Sequence, residues 1–213
     1  MNYKYIYIIG LILTFFSCKE MNSNTIVDQE VPASLLPYDY IKYIENPKHG
    51  LNLTVSEGIN EYQIQYKTPE YMIAKSEEKN LLPTDFVKKE RKEFGDIEYF
   101  TLKIKTNSGE QDILKEGVKS NDQFGGRVAY FSFYMQNDLF LVRDQDTIPC
   151  SLYHFERTYN IAPYCTLLLG FDKKFRKFSS YQILYVDRLF SNKIITFNFL
   201  KESFERIPKL ITK

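Results

Sequence analysis

The side chains best suited to nucleophilic or metal chemistry near neutral pH are few: His49 and His154, with Cys18, Cys150 and Cys165. His154 lies in Cys150-Ser-Leu-Tyr-His154-Phe-Glu-Arg157, a segment with strand character. In a regular strand Cys150 and His154 share a face, but four residues at about 3.3 Å each separate them by about 13 Å, too far for a common metal ion. No metal site is expected. If residues 157–162 form a hairpin loop, Glu156 pairs with Pro163 and Cys165 stands across from His154. That is the minimum arrangement for a thiol activated by an imidazole, which makes His154 and Cys165 the catalytic candidates. Against them, the apolar neighbours Tyr164, Leu167 and Leu169 favour an inert core thiol. His49 occupies a Pro-Lys-His-Gly turn and reads as an exposed turn residue. No G-x-S-x-G, H-E-x-x-H, Walker A or G-x-G-x-x-G pattern occurs, so no cofactor is expected.

The chain has 213 residues, with 28 Lys and Arg against 27 Asp and Glu. That balance argues against a nucleic-acid partner, since gripping phosphates needs a strongly basic face. Glu156, Arg157, Asp187 and Arg188 are charges within apolar strands, and each must face solvent or find a partner.

The first residues are more specific. Lys4 precedes an apolar run from Ile6 to Phe16, and Ser17-Cys18 follow. A bilayer core takes about 20 apolar residues and this run ends after roughly a dozen, so it reads as a secretory signal peptide. Phe15-Phe16-Ser17-Cys18 resembles the lipobox of bacterial lipoproteins. The resemblance covers only the leader. It implies that residues 1–17 are removed and that Cys18 is lipidated on sulfur, becoming the mature N-terminus. Membrane attachment then comes from the N-terminal lipid, in the cell envelope, at the outer membrane in preference to the inner, with either face open. Two or more acyl chains make such attachment stable. Residues 18–36 are polar, without sustained period, and contain Pro32, so they read as a flexible tether of about 23 Å root-mean-square span.

Export meets an oxidising compartment, and two cysteines remain after Cys18, so a disulfide between Cys150 and Cys165 is possible. The hairpin register above keeps these sulfurs apart, and a bridge would need a different one. Asp146-Thr147-Ile148 resembles an O-glycosylation acceptor of exported bacterial proteins, which makes Thr147 a possible modification site. Asn52-Leu53-Thr54 fits the N-glycosylation sequon, without meaning in a bacterial lipoprotein.

Residues 37–213 read as one β-rich domain. Helical spacing from Pro37 to Glu45 stops at Asn46-Pro47, and Thr84 stands as N-cap before DFVKKERKEF, with Gly95 beyond. Alternation or apolar runs predict strands at 51–55, 62–66, 71–74, 97–104, 128–135, 139–143, 148–157, 164–171, 181–188 and 193–199. Asn107-Ser108-Gly109 predicts a turn leading to a partner strand at 112–114, and residues 202–207 a closing helical turn. About nine short strands and two or three short helices point to an antiparallel Greek-key β-sandwich. The aromatic runs Tyr130–Tyr134 and Phe197–Phe199 are expected in its core.

The reading that follows is a lipid-anchored, non-catalytic binding or scaffold module for another envelope protein. The alternatives are an envelope hydrolase using Cys165 and His154, and an immunity-type lipoprotein that neutralises a toxin. Labelled palmitate is expected to enter the wild-type protein and not Cys18→Ala; equal incorporation into both would remove the lipid anchor.

Overall fold

The computed structural model describes residues 31–77, 79–106, 112–158, 161–173 and 178–213. The leader, Cys18, most of the tether and the turn predicted at 107–109 lie outside the described residues. In chain order the elements are β1 (Ser34–Leu35), α1 (Pro37–Glu45), β2 (Asn52–Glu57), β3 (Asn60–Lys67), α2 (Pro69–Glu77), α3 (Thr84–Glu93) and β4 (Ile97–Thr106). Then come α4 (Asn121–Ala129), a π-helical turn (Tyr130–Tyr134) and a 3-10 turn (Met135–Asp138). β5 (Leu139–Arg143), β6 (Asp146–Glu156), β7 (Tyr164–Asp172), β8 (Tyr181–Val186), β9 (Ile194–Phe199), α5 (Lys201–Glu205) and β10 (Lys209–Leu210) complete the chain.

The protein is mainly β. Strands β2 to β9 form one antiparallel sheet in the order β2-β3-β4-β7-β6-β5-β8-β9. Its outer strands β2 and β9 lie against each other, and Lys193 Nζ meets Glu57 Oε1 at 2.7 Å beside that seam, so the sheet is nearly closed into a barrel. The hairpins β5-β6-β7 are flanked by β4 next to β7 and β8 next to β5, which makes two overlapping Greek keys. The two layers expected of a sandwich are walls of one continuous sheet, because the first residues of β6 pair with β5 and its later residues with β7.

Period-two patterning explains the walls. On β4 the inward row is Glu98, Phe100, Leu102, Ile104 and Thr106, all buried, and on β3 it includes Asn60, Tyr62 and Ile64. Large aromatic side chains fill the interior, Phe100, Phe171, Tyr181, Tyr185 and Phe197 among the most buried. At one end of the barrel, here the base, α1 and α2 pack with Leu51 over Tyr66 and Phe204. The other end, the rim, carries the β2–β3 and β8–β9 turns, the β6–β7 connection and the crossover from β4 to β5.

Four predicted elements differ. Residues 71–74 lie in α2: Thr68 Oγ1 accepts the Tyr71 N–H at 3.0 Å, and Pro69 stands at the first helical position. Residues 128–135 are helical. Ser120 Oγ accepts the Gln123 N–H at 3.2 Å while Gln123 Oε1 takes the Lys119 N–H at 2.8 Å, an arrangement close to a capping box. Residues 112–114 form a turn closed by the Leu114 N–H on Asp112 Oδ1, and β4 pairs with β3 and β7 instead. Ser34–Leu35, assigned to the tether, form a parallel ladder with Lys209–Leu210. Thr84 is the first residue of α3 rather than its cap, and its hydroxyl meets that of Thr212 at 2.6 Å.

Gly170 marks a tight point of the wall. The pairing of β6 with β7 slips by one residue between Cys150 and Leu152, a bulge at Ser151. A Cβ on Gly170 would lie 2.8 Å from Leu152 Cβ and 2.8 Å from Ile97 Cγ2. Gly170→Ala is expected to cost about 1–3 kcal/mol through overpacking. Urea unfolding should show a lower midpoint with an unchanged slope.

Candidate functional site

The register separates the thiol from the imidazole. Glu156 pairs with Thr166, not Pro163, so His154 stands opposite Leu168. It is exposed on the outer face, in a row with Leu168, Thr101 and Gln65. Cys165 points inward, opposite Ile104 and fully buried, and burial pushes its thiol far above the ordinary range. The Cys165–His154 nucleophile expected from sequence is therefore not formed: the two side chains lie on opposite sides of the wall. The bulge at Ser151 has a second consequence. It reverses the parity of β6, so Cys150 faces inward while His154 faces outward, although they are four residues apart.

Nor is there a disulfide. Cys150 and Cys165 are both free and buried, and Cys150 stands opposite Phe171, six residues along β7 from Cys165. Burial pushes the Cys150 thiol up to about 11. Neither thiol has the electropositive, accessible setting that reactivity needs. Thr147 is exposed on β6 opposite Val142, and Asn52 donates its side-chain N–H to the Glu45 carbonyl at 3.1 Å. His49 stacks on Tyr43 at 3.8 Å between ring centroids, with Nδ1 2.8 Å from the Tyr43 carbonyl oxygen.

At the rim, two carboxylates organise the loops. Asp187 is fully buried and accepts from the Tyr62 hydroxyl at 2.9 Å, the Ser191 hydroxyl at 2.7 Å, and the main-chain N–H groups of Leu189, Phe190 and Ser191. Burial alone would raise its pKa, but these donors outweigh it and hold the carboxyl below the usual aspartate value. Asp138 accepts from Tyr130 at 2.8 Å and from Arg188 Nε at 2.7 Å, which docks the helical crossover on the β8–β9 turn. Phe131 enters the core and stacks on Phe155 at 5.4 Å. Phe133 and Tyr134, expected in the core, instead project outward.

Among the described residues eight large apolar side chains are exposed: Leu36, Tyr38 and Leu200 near the base, and five at the other end. Ile59 is on the β2–β3 turn, Phe133 and Tyr134 on the crossover, Ile161 between β6 and β7, and Ile194 at the start of β9. All five belong to the rim. Phe133 is 72% and Ile161 90% exposed.

At the base, Glu98 of β4 and Arg143 of β5 form a buried ion pair, and the Tyr181 hydroxyl donates to the same Glu98 oxygen at 2.7 Å. The guanidinium lies over the rings of Phe178 and Tyr181, at 5.4 and 5.2 Å from their centroids. Sequence reasoning did not single these residues out. The available signal was Glu98 on the same parity as Phe100, Leu102 and Ile104, a charge on a buried row.

Also at the base, a cleft of about 740 Å³ opens between α3, the start of α2 and β10. Lys88, Arg91, Lys173 and Lys209 line it, with Glu70 and Asp96 as its carboxylates. Among the described residues no group of three His, Cys, Asp or Glu side chains could hold a metal ion, and no helix is long and apolar enough to cross a membrane. Compared with known protein families, with curated proteins and with solved structures, the chain finds no match in any of the three.

The stabilisation from Asp187 is present in full above the ordinary aspartate pKa of about 4 and is lost as the pH falls through the lower folded value. Asp187→Asn leaves several donors without a full acceptor and is expected to cost about 2–3 kcal/mol at neutral pH. Urea unfolding at a series of pH values should also show a shallower loss of stability toward acid in the variant than in wild type.

Proposed function

We propose that the chain is a cell-envelope protein, anchored by lipid on Cys18, that acts as a non-catalytic binding module for another envelope protein. The observation that carries this reading is that five of the eight exposed large apolar side chains gather at the rim, Leu36, Tyr38 and Leu200 near the base being the others. The first described strand, β1, is fixed at the opposite end by its ladder with β10. A tether arriving at the base presents the rim away from the membrane. Aromatic and aliphatic anchors of this kind carry most of the energy in protein interfaces. The separation of Cys165 from His154 supports a binding role over the hydrolase alternative.

Affinity purification of the full lipidated protein from detergent-solubilised membranes is expected to recover one envelope protein in stoichiometric amount. Phe133→Asp combined with Ile161→Asp should weaken that capture by roughly 30-fold, the equivalent of about 2 kcal/mol. Both side chains are exposed, so the folded state should change by less than about 1 kcal/mol. Undiminished capture by the double variant would place the partner elsewhere, and recovery of the protein alone would remove the reading.

A further inference from the structure

We infer that a groove on the outer wall, between α2 and the outward face of β4, β7 and β6, binds a small zwitterion with an ammonium and a carboxylate, a free amino acid or a dipeptide. Its volume of about 320 Å³ suits a ligand of that size. β3 ends at Lys67 and α2 begins at Pro69, so the helix stays beside the strand end it has just left and walls the groove with Tyr71 and Met72. Lys67 and Glu156 both line it.

The strand register orders these groups. Lys67 stands opposite Tyr99 on β4, and Thr101, the next outward residue of β4, stands beside Leu168 of β7. Thr166, the next outward residue of β7, stands beside Glu156 of β6. Lys67, Thr101, Leu168, Thr166 and Glu156 therefore follow one diagonal across the wall, with a cation at one end and a carboxylate at the other. The two charges attract through space but form no ion pair with each other. A ligand whose own ends carry opposite charges bridges them, whereas a simple anion or cation leaves one of the two unmatched.

Neighbouring groups leave both charges available. Lys75 Nζ and the Tyr71 hydroxyl each donate to Glu45 Oε1 at 2.8 Å, which satisfies the polar groups of the helical wall. The Lys67 ammonium instead lies over the Tyr71 ring, 4.6 Å from its centroid, and makes no ion pair among the described residues. Burial, the largest influence, lowers its pKa and Lys75 adds to this, while Glu45 and Glu156 oppose it from a distance. A half-buried cation in this position gains from a carboxylate supplied by a ligand. Glu156 is exposed and also without an ion pair among the described residues, so it can receive an ammonium. Between them the Thr101 and Thr166 hydroxyls have no partner among the described residues, and Leu168 supplies apolar surface for the carbon skeleton. The inference rests on this groove alone and needs neither the lipid nor the protein partner proposed above.

The test uses the full chain in nonionic detergent micelles with methyl-labelled methionine, followed by NMR. Met72 lines the groove and Met135 is buried in the barrel core, so their signals report the site and the fold separately. Met72→Leu assigns the first of them. Alanine and alanylalanine are titrated beside N-acetylalanine and alaninamide, each of which lacks one of the two charges. A saturable shift of Met72 with Met135 unmoved is expected for a zwitterion, and binding at least tenfold weaker for both blocked compounds. Saturation by alanine assigns a free amino acid, and saturation by alanylalanine alone a dipeptide; both support the site. Lys67→Met combined with Glu156→Gln should weaken binding at least tenfold, while Lys92→Gln combined with Glu93→Gln, exposed on α3, should bind as wild type does. No saturable shift with either zwitterion, equal binding of the blocked compounds, or equal loss in the two double variants overturns the inference. The Met135 signal shows whether each variant is folded. Partner capture through Phe133 and Ile161 is a separate readout at the rim, so failure of one inference is distinguishable from failure of the other.

Discussion

Glu98 and Arg143 stand on strands separated by two others, so their ion pair can form only once the sheet has curled far enough to bring β4 and β5 across the base. Taking both charges out of water costs several kcal/mol per ion after relaxation, and attraction offsets that only where the geometry and the remaining hydrogen bonds are good. Tyr181 donates to the carboxylate and the rings of Phe178 and Tyr181 flank the guanidinium, which supplies those conditions from β8 and the segment before it. Three strands are thereby tied to one arrangement. A slip of one residue in β4 would turn Glu98 outward and leave Arg143 buried without its carboxylate. The closed sheet and its register thus depend on each other, and both ends of the molecule inherit their geometry from that closure.

How much of this was legible in the sequence depended on whether a segment carried a period or only an apolar run. β2, β3 and β4 alternate, and each lies close to where alternation placed it. The runs 71–74 and 128–135 are apolar without clear period, and such runs fit a buried strand and a buried helix equally well. The information that decides them lay just upstream. Thr68-Pro69 is a cap followed by a first-turn proline, and Ser120 with Gln123 forms the start of α4. Those polar signals have a defined hydrogen-bond geometry, whereas aromatic content does not select a backbone conformation. The crossover is helical because it must span from β4 to a strand three positions away in the sheet while filling the rim, a tertiary demand that local sequence does not express.

The chemical candidates depended on register, which is more fragile than strand position. Setting Glu156 against Pro163 instead of Thr166 is an error of three residues in a segment whose strand assignment was right. Because side chains alternate with period two, an odd error exchanges inside and outside for every residue of β7 relative to β6. It moved Cys165 from the packed interior to the side of His154. The bulge at Ser151 added a second exchange within β6 itself, which no parity count could include. A constellation inferred across a hairpin of unknown loop length therefore carries less weight than one inferred along a helix, where i and i+4 neighbours are fixed by the backbone.

The two ends of the barrel differ in kind, although the composition is balanced. The base joins β1 to β10 and holds the cation-lined cleft, with Leu36, Tyr38 and Leu200 exposed near it; the rim shows Phe133, Tyr134, Ile161, Ile59 and Ile194. β4, with 10 residues, runs the distance between them. At about 3.3 Å per residue and a barrel tilt near 40°, that is about 25 Å along the axis. Under the proposed anchoring, the rim would stand beyond the tether by that height, tens of ångströms from the lipid, while the base faces the headgroups. Which barrel end receives β1 thus decides which end lies near the N-terminal segment and which lies away from it.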